Sequence, residues 1–215
     1  MNYTAIDFET GNAYYTSACS IGVSVFEENE PVHQYVRLIR PPESVGAFHW
    51  YNIKIHGIRR SMVAHEPDFA ALWQELQPDI DGRILACHNA MFDTAVLRKC
   101  LEFYGLPLPH CRYICTVKVA QKLWPQLENH KLDTVSAVLG IPLNHHEAGS
   151  DAHACGLILR QALVETGCDT VEALAAQLDI RLGEISPSAC LPCSSAKSKT
   201  DRPRRSKYSS KERSL

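Results

Sequence analysis

Two carboxylates stand two residues apart at the end of an otherwise apolar and β-branched stretch, Tyr3-Thr4-Ala5-Ile6-Asp7-Phe8-Glu9-Thr10. On a strand, side chains two apart share a face, so Asp7 and Glu9 point one way and Ile6 and Phe8 the other. Neighbouring carboxylates repel, and burying them unpaired is costly. A hard divalent cation between them relieves both problems. Two more acids fall where a helix would start its core-facing stripe. Asp93 lies three and four residues before Val96 and Leu97, and Asp151 stands in the same relation to Ala154 and Cys155. An Asp in a first turn ordinarily complements the helix dipole, but for that it need not lie on the apolar face. Two that do, beside a carboxylate pair, point to four acids converging on one place.

Four such acids can hold two divalent cations about 4 Å apart, which clamp the attacking and leaving oxygens of an in-line phosphoryl displacement. All-oxygen ligands favour Mg²⁺ or Mn²⁺ over zinc. A nearby imidazole, titrating close to neutrality, can take a proton from the attacking water. His146 stands five residues before Asp151, and His145 is its neighbour; spacing alone does not choose between them. No competing chemistry is visible: the chain has no GxxxxGK[ST] loop, no GxGxxG and no GxSxG elbow.

The elements that must carry these residues follow from the apolar pattern. Strands are expected at residues 3–10, 19–26, 32–39, 84–87 and 113–116, the first three as an antiparallel meander with a hairpin at Glu27–Pro31. Helices are expected from Asp68 to Leu76, Ala90 to Tyr104, Val117 to Leu123, Leu132 to Leu139 and Asp151 to Thr166. A last helix to Leu178 would open on a capping box of Asp169 and Glu172. Val45–Ile58 is read as irregular; its His49, Trp50, Tyr51 and Asn52 suit either base stacking or a small cluster under a loop. Leading strands followed by alternating strands and helices make an α/β domain on a mixed five-stranded sheet.

With the motifs in view, Asp7-Phe8-Glu9-Thr10, His88-Asn89-Ala90-Met91-Phe92-Asp93 and His146-Glu147-Ala148-Gly149-Ser150-Asp151 resemble the three motifs of the DEDDh 3′–5′ exonucleases. These are relatives of the proofreading epsilon subunit of bacterial DNA polymerase III. The resemblance runs in order over about residues 3–165 and includes Ile55-His56-Gly57-Ile58, similar to a recurrent family loop. It implies a ribonuclease-H-like fold, with helices on both sides of the sheet. It further implies Asp7, Glu9, Asp93 and Asp151 as ligands of two divalent metal ions and His146, rather than His145, as general base. Phe8, Thr10 and Gly11 would line the terminal nucleotide, with Asn89, Phe92 and His56 as further substrate-side residues. One departure bears on the nucleotide pocket: Thr10-Gly11 runs into Asn12-Ala13-Tyr14-Tyr15, where many members have a hydrophobic residue.

The expected function is metal-dependent 3′–5′ exonucleolytic release of nucleoside monophosphates from single-stranded nucleic acid, with DNA ahead of RNA or short oligonucleotides. A polymerase or repair protein is the kind of protein partner the resemblance implies. A non-catalytic binding module is the rival reading, but such a relative is expected to have lost some of the acids, and all four are present with the histidine.

Composition agrees with a water-soluble enzyme. Of 215 residues, 45% are apolar and 21% charged, and no run is apolar enough for a membrane span. The N-terminus enters a strand without a signal segment, and most of the nine cysteines lie in apolar stretches, so reduced thiols and a cytoplasmic location are expected. Cys190 and Cys193 form the single CxxC, with no second pair to complete a zinc site. The exonuclease domain is placed at residues 1–183 and a basic, disordered tail at 187–215. Residues 197–213 hold eight Lys/Arg against two acids, leaving 14 Lys/Arg against 22 Asp/Glu elsewhere. Such a tail suits either tethering of substrate phosphates or solubility.

Overall fold

The computed structural model describes residues 2–195. Its first three strands, β1 (Tyr3–Thr10), β2 (Ala18–Glu27) and β3 (Glu30–Leu38), form the expected antiparallel meander. Glu28 and Asn29 between the last two both take positive φ, 51° and 69°, the backbone of a tight two-residue hairpin. On its other side β1 pairs in parallel with β4 (Ile84–Cys87), and β4 with β5 (Cys111–Cys115). The C-terminal ends of these three parallel strands therefore open on one edge of the sheet, where open α/β sheets bind ligands.

The sheet has seven strands, not the five expected. After β6 (Ile180–Arg181), β7 (Gly183–Ile185) pairs antiparallel with β5, and β8 (Cys190–Leu191) with β7; β9 (Ser194–Ser195) pairs with β6 apart from the main sheet. The returning chain covers what would be an open β5 edge. These additions are two or three residues long and carry no alternation of their own. Residues 187–195, read from sequence as tail, thus hold β8 and β9. The basic segment 197–213 lies outside the described residues.

Among the described residues seven α-helices accompany the sheet: α1 (Trp50–His56), α2 (Phe69–Ile80), α3 (Ala90–Phe103), α4 (Thr116–Leu123), α5 (Leu132–Leu139), α6 (Ala148–Thr166) and α7 (Val171–Gln177). Four differ from expectation. The helix expected to stop at Leu76 runs on through Pro78 to Ile80. The stretch read as irregular contains α1, whose first turn His49 caps by accepting from the Tyr51 N–H. The Asp151 helix starts three residues earlier, because the Glu147 carboxylate accepts from the N–H groups of Gly149 and Ser150. Thr170, not Asp169, caps α7, its hydroxyl accepting from the Ala173 N–H.

The two faces of β1 feed two cores. Ile6 and Phe8 pack with Phe69, Leu76 and Leu97 from α2 and α3. Tyr3 and Ala5 pack with Ala154, Cys155 and Ile158 from α6, and Asp7 and Glu9 continue that side toward the strand end. Cys87, Cys100, Cys115 and Cys155 are buried free thiols within these layers, and Cys19 is buried in a separate small cluster with Ile58 and Val63. Glycines let α6 settle close. A Cβ on Gly22, which lies opposite Asp7 on β2, would overlap the Ala148 carbonyl; one on Gly149 would meet Val36, and one on Gly156 the Phe26 ring. Among the described residues, no helix is long and apolar enough to cross a membrane.

Candidate active site

Asp7 and Glu9 leave the sheet side by side at the end of β1, and the seating of α6 on Gly22 brings Asp151 to them. Ligand oxygens of Asp7, Glu9 and Asp151 lie within 4.8 Å of one another. They open into a cleft of about 510 Å³ lined also by Phe8, Asn89, Phe92, His145 and His146. Asp93 of α3 is not among those clustered oxygens and does not line the cleft, but its charge acts on both Asp7 and Glu9. It is buried, and its Oδ1 accepts the Phe8 N–H at 3.0 Å. Asn89 makes this possible by taking a left-handed backbone (φ 78°) just before α3, which turns the chain sharply off β4.

The electrostatics are those of an overcrowded anionic site. Burial first, then the charges of Asp93, Glu9, Asp151 and Glu147, hold the Asp7 carboxyl well above the usual carboxylate range. Glu9 is pushed up to about 8 by burial and by Asp151 and Asp93. Asp93 is pushed up to about 7 by burial, against the opposing pull of the Phe8 N–H. Asp151 is raised less, since the His146 N–H and the His145 ring counter its burial. Every charged group acting on Asp7 is a carboxylate. This oxygen donor set fits divalent cations, and His145, His146 and Asp151 form a second group of potential ligands sharing Asp151.

The two histidines divide their work. His145 Nδ1 lies 3.1 Å from Asp151 Oδ2, while His146 reaches the same oxygen only through its backbone N–H, at 3.0 Å. His146 takes φ 70°, and its ring stacks on that of His145 with centroids 3.8 Å apart. Burial, with His145 beside it, depresses the His146 pKa, so its ring is neutral at neutral pH.

The substrate-side residues are placed less uniformly. The Phe8 ring turns away from the acids into the core against Phe69, leaving its backbone at the cleft. Thr10, Gly11 and His56 lie beside the cleft instead of lining it. The Thr10 carbonyl accepts from Asn52 Nδ2 at 2.9 Å and contacts His56 Nε2 at 3.2 Å; His56 Nδ1 accepts the Ile58 N–H. With Nδ1 accepting, His56 is the neutral tautomer that donates from Nε2, and burial holds its pKa down. Gly11 abuts the Phe48 ring where a Cβ would not fit. Cleft residues the sequence did not single out include His88, His130 and Lys131. His88 is buried neutral, its pKa pushed down to about 4, and bridges Thr116 Oγ1 and the His130 carbonyl. Its place directly before Asn89 was the available signal. Lys131 carries none, because only the packing of α5 brings it to the cleft.

Residues 4–159 match the sequence pattern of the RNase T family of exonucleases. The chain belongs to that family. Within it, the chain is of the DEDDh type. It is 30% identical over 165 residues to the 3′-5′ exonuclease DinG of Bacillus subtilis (strain 168), covering 75% of this chain and 17% of that protein. To the PolC-type DNA polymerase III of Lacticaseibacillus paracasei it is 29% identical, over 73% of this chain and 11% of that one. It thus spans less than a fifth of the length of either relative. Among solved structures, exonuclease X in complex with 5′ overhanging duplex DNA superposes with a TM-score of 0.66, covering 82% of this chain and 99% of that one, at 22% identity. The nuclease domain of 3′hExo bound to rAMP gives 0.65, over 78% and 94%, at 16% identity.

Proposed function

We propose that this chain removes nucleoside monophosphates from the 3′ end of single-stranded DNA, using Asp7, Glu9, Asp93 and Asp151 to hold two Mg²⁺ or Mn²⁺ ions and His146 as general base. The observation that carries this reading is the convergence of Asp7, Glu9 and Asp151 oxygens within 4.8 Å in an open cleft, with the charge of buried Asp93 acting on Asp7 and Glu9. When bound, the ions supply charge neutralisation for the carboxylates and stabilise the charge that develops on the phosphate.

The chain's own residues do the rest. Asp93, locked to the Phe8 N–H, fixes the floor of the site against the end of β1. Glu9 and Asp7 present their oxygens from a sheet strand, which holds them more firmly than a loop would. His146, kept neutral by burial and by His145, accepts the proton of the attacking water. Phe92 and Asn89 wall the cleft where the terminal nucleotide would sit, and Asn52 and His56 brace the Thr10 carbonyl beside it, next to Glu9.

DNA is favoured because the curated relatives include DNA polymerases and because neighbouring structures hold DNA oligonucleotides. RNA is the second reading, favoured by the neighbour solved with a ribonucleotide. A polymerase or repair protein as partner rests on the same relatives.

The test is degradation of 5′-labelled single-stranded DNA and RNA of matched sequence with Mg²⁺, Mn²⁺ or EDTA, beside Asp7→Ala and His146→Ala. The expected result is a metal-dependent ladder descending from the 3′ end, faster on DNA and lost in both variants. Tight binding of oligonucleotide with no shortening in any metal would overturn the catalytic reading in favour of a binding module.

A further inference from the structure

Beside the acidic cleft lies a surface of opposite character. The segment from Ser44 to His65 contains no acid and carries Lys54, Arg59 and Arg60, within a chain whose charge outside the 197–213 segment is otherwise acidic. On it α1 displays Trp50, 67% exposed, and Tyr51, 54% exposed. Their rings meet edge to face with centroids 5.7 Å apart, and His49 stands 5.8 Å from the Trp50 ring. A small core cluster under a loop would have buried these rings. Here they are in solvent, yet the helix beneath them is anchored.

Its anchors run to the site. Asn52 and His56 of α1 both bond the Thr10 carbonyl, one residue from Glu9, and the His49 N–H donates to the Gly11 carbonyl at 2.7 Å. Asn12 adds bonds from Nδ2 to the carbonyls of Val45 and Ala47. The rings are therefore held at a fixed offset from the carboxylates by backbone at the end of β1.

We propose that Trp50 and Tyr51 form a stacking platform for unpaired bases upstream of the 3′-terminal nucleotide, with Lys54 and Arg59 meeting the phosphates between them. This rests on the reading of the cleft as a 3′-end nuclease site and names the substrate feature recognised next to it. Bases of any identity stack on aromatic rings, and basic residues beside such rings track the backbone. A duplex cannot offer its paired bases in this way, so the platform selects strands with an unpaired 3′ end.

The experiment uses intrinsic fluorescence. The chain has three tryptophans; Trp73 and Trp124 are 3% and 7% exposed, so Trp50 alone can be quenched by a stacked base. The full chain is titrated in Mg²⁺ with a thymidine dodecamer and a thymidine dinucleotide, each made cleavage-resistant by a phosphorothioate at the 3′-terminal linkage. The dodecamer is expected to quench emission and the dinucleotide to bind without quenching. Trp50→Ala with Tyr51→Ala should weaken the dodecamer by about tenfold or more, at the stacking strength usual for such rings, and leave the dinucleotide's affinity in place. Trp50→Phe should retain dodecamer affinity and lose the quench. Equal, unquenched binding of both oligomers by the unaltered chain would overturn the platform and leave the nuclease site standing. Binding of neither would overturn both. A double variant that loses dinucleotide and dodecamer affinity alike would make α1 a brace for the cleft instead of a platform.

Discussion

Asp93 and Asp151 flank the Asp7 and Glu9 pair from opposite sides of the sheet, and they are held there by different means. Asp93 is fixed by a bond: it is buried, and its carboxylate takes the Phe8 N–H. Asp151 is fixed by the docking of a whole helix, whose backbone rests on Gly22, and whose Gly149 meets Val36, without an intervening Cβ. A hydrogen bond sets one side chain locally and tolerates slight movement of its helix. A steric seat sets every residue of α6 at once and fails all at once. The site thus joins a locally pinned acid to a globally seated one.

The largest effect should come from unseating α6. Gly22→Val places side-chain atoms where the Ala148 carbonyl now lies, and backbone cannot yield as a flexible side chain does. Overpacking of this kind costs about 1–3 kcal/mol, or roughly 5 °C in Tm for a chain of this size. Nuclease activity should vanish even at temperatures where the variant is folded, because Asp151 rides on the displaced helix and His146 sits in the turn that leads into it. Folded Gly22→Val with half the normal rate would show that Asp151 does not depend on that contact.

Next come substitutions of the acids themselves. Asp93→Asn keeps an acceptor for the Phe8 N–H but removes a charge; activity should fall by roughly 10²–10³, the usual cost of losing one group that stabilises transition-state charge. Its Tm in EDTA should rise, because a carboxyl raised to about 7 destabilises the metal-free fold at neutral pH. Asp151→Asn should be equally inactive but gain less stability, since the His145 and His146 contacts already favour its charge. Asp93→Ala separates pin from charge: it strands the buried Phe8 N–H at a cost of about 1–3 kcal/mol. Thermal melts of the three variants decide whether that pin is real.

The comparison also has a pH signature. Asp7, Glu9, Asp93 and Asp151 all have folded pKa values above the ordinary carboxylate range, so between about pH 4 and pH 8 the folded chain holds protons that the unfolded chain has released. The contribution of these four groups to the stability of the metal-free protein is therefore greatest below that range and falls as pH rises through the folded values, Glu9 ionising at about 8. Mn²⁺ should raise Tm more at pH 8 than at pH 6, by binding the ionised carboxylates. A Tm gain from Mn²⁺ that is flat across this range would mean that the acids do not carry the metal.

What could be read from sequence divides along physical lines. The period of two put Asp7 and Glu9 on one face, and helical spacing put Asp93 and Asp151 toward the core, because those patterns are set by local backbone geometry. The length of α1 was hidden because a seven-residue helix capped by His49 has too few turns to show a stripe. β7 and β8 were hidden because their pairing is dictated by the edge of β5, sixty or more residues away, and not by their own residues. The choice between His145 and His146 was open for a related reason: it depends on the left-handed turn at His146, which directs one ring and the other's backbone toward Asp151. The glycine seat, which decides where Asp151 ends up, is written in Gly22, Gly149 and Gly156, but only the packed structure says that they face the same contact.

The smallest expected effect asks whether that seat is steric or polar. Gln34 on β3 reaches across to α6, its Nε2 donating to the Gly149 carbonyl at 3.0 Å. This is the polar clasp over the contact that Gly22 makes from below. If close packing positions the helix, Gln34→Ala removes one part-buried hydrogen bond and nothing else, costing about 1 kcal/mol and a few degrees of Tm. Turnover should then change less than twofold, because Ala148 and Gly149 still rest on the β2 backbone and carry Asp151 with them. If Gln34→Ala instead reduces turnover as far as Gly22→Val does, the clasp holds the helix in register and the glycines merely permit it. Both acids would then be pinned by single hydrogen bonds, and the contrast between the two sides of the sheet would disappear.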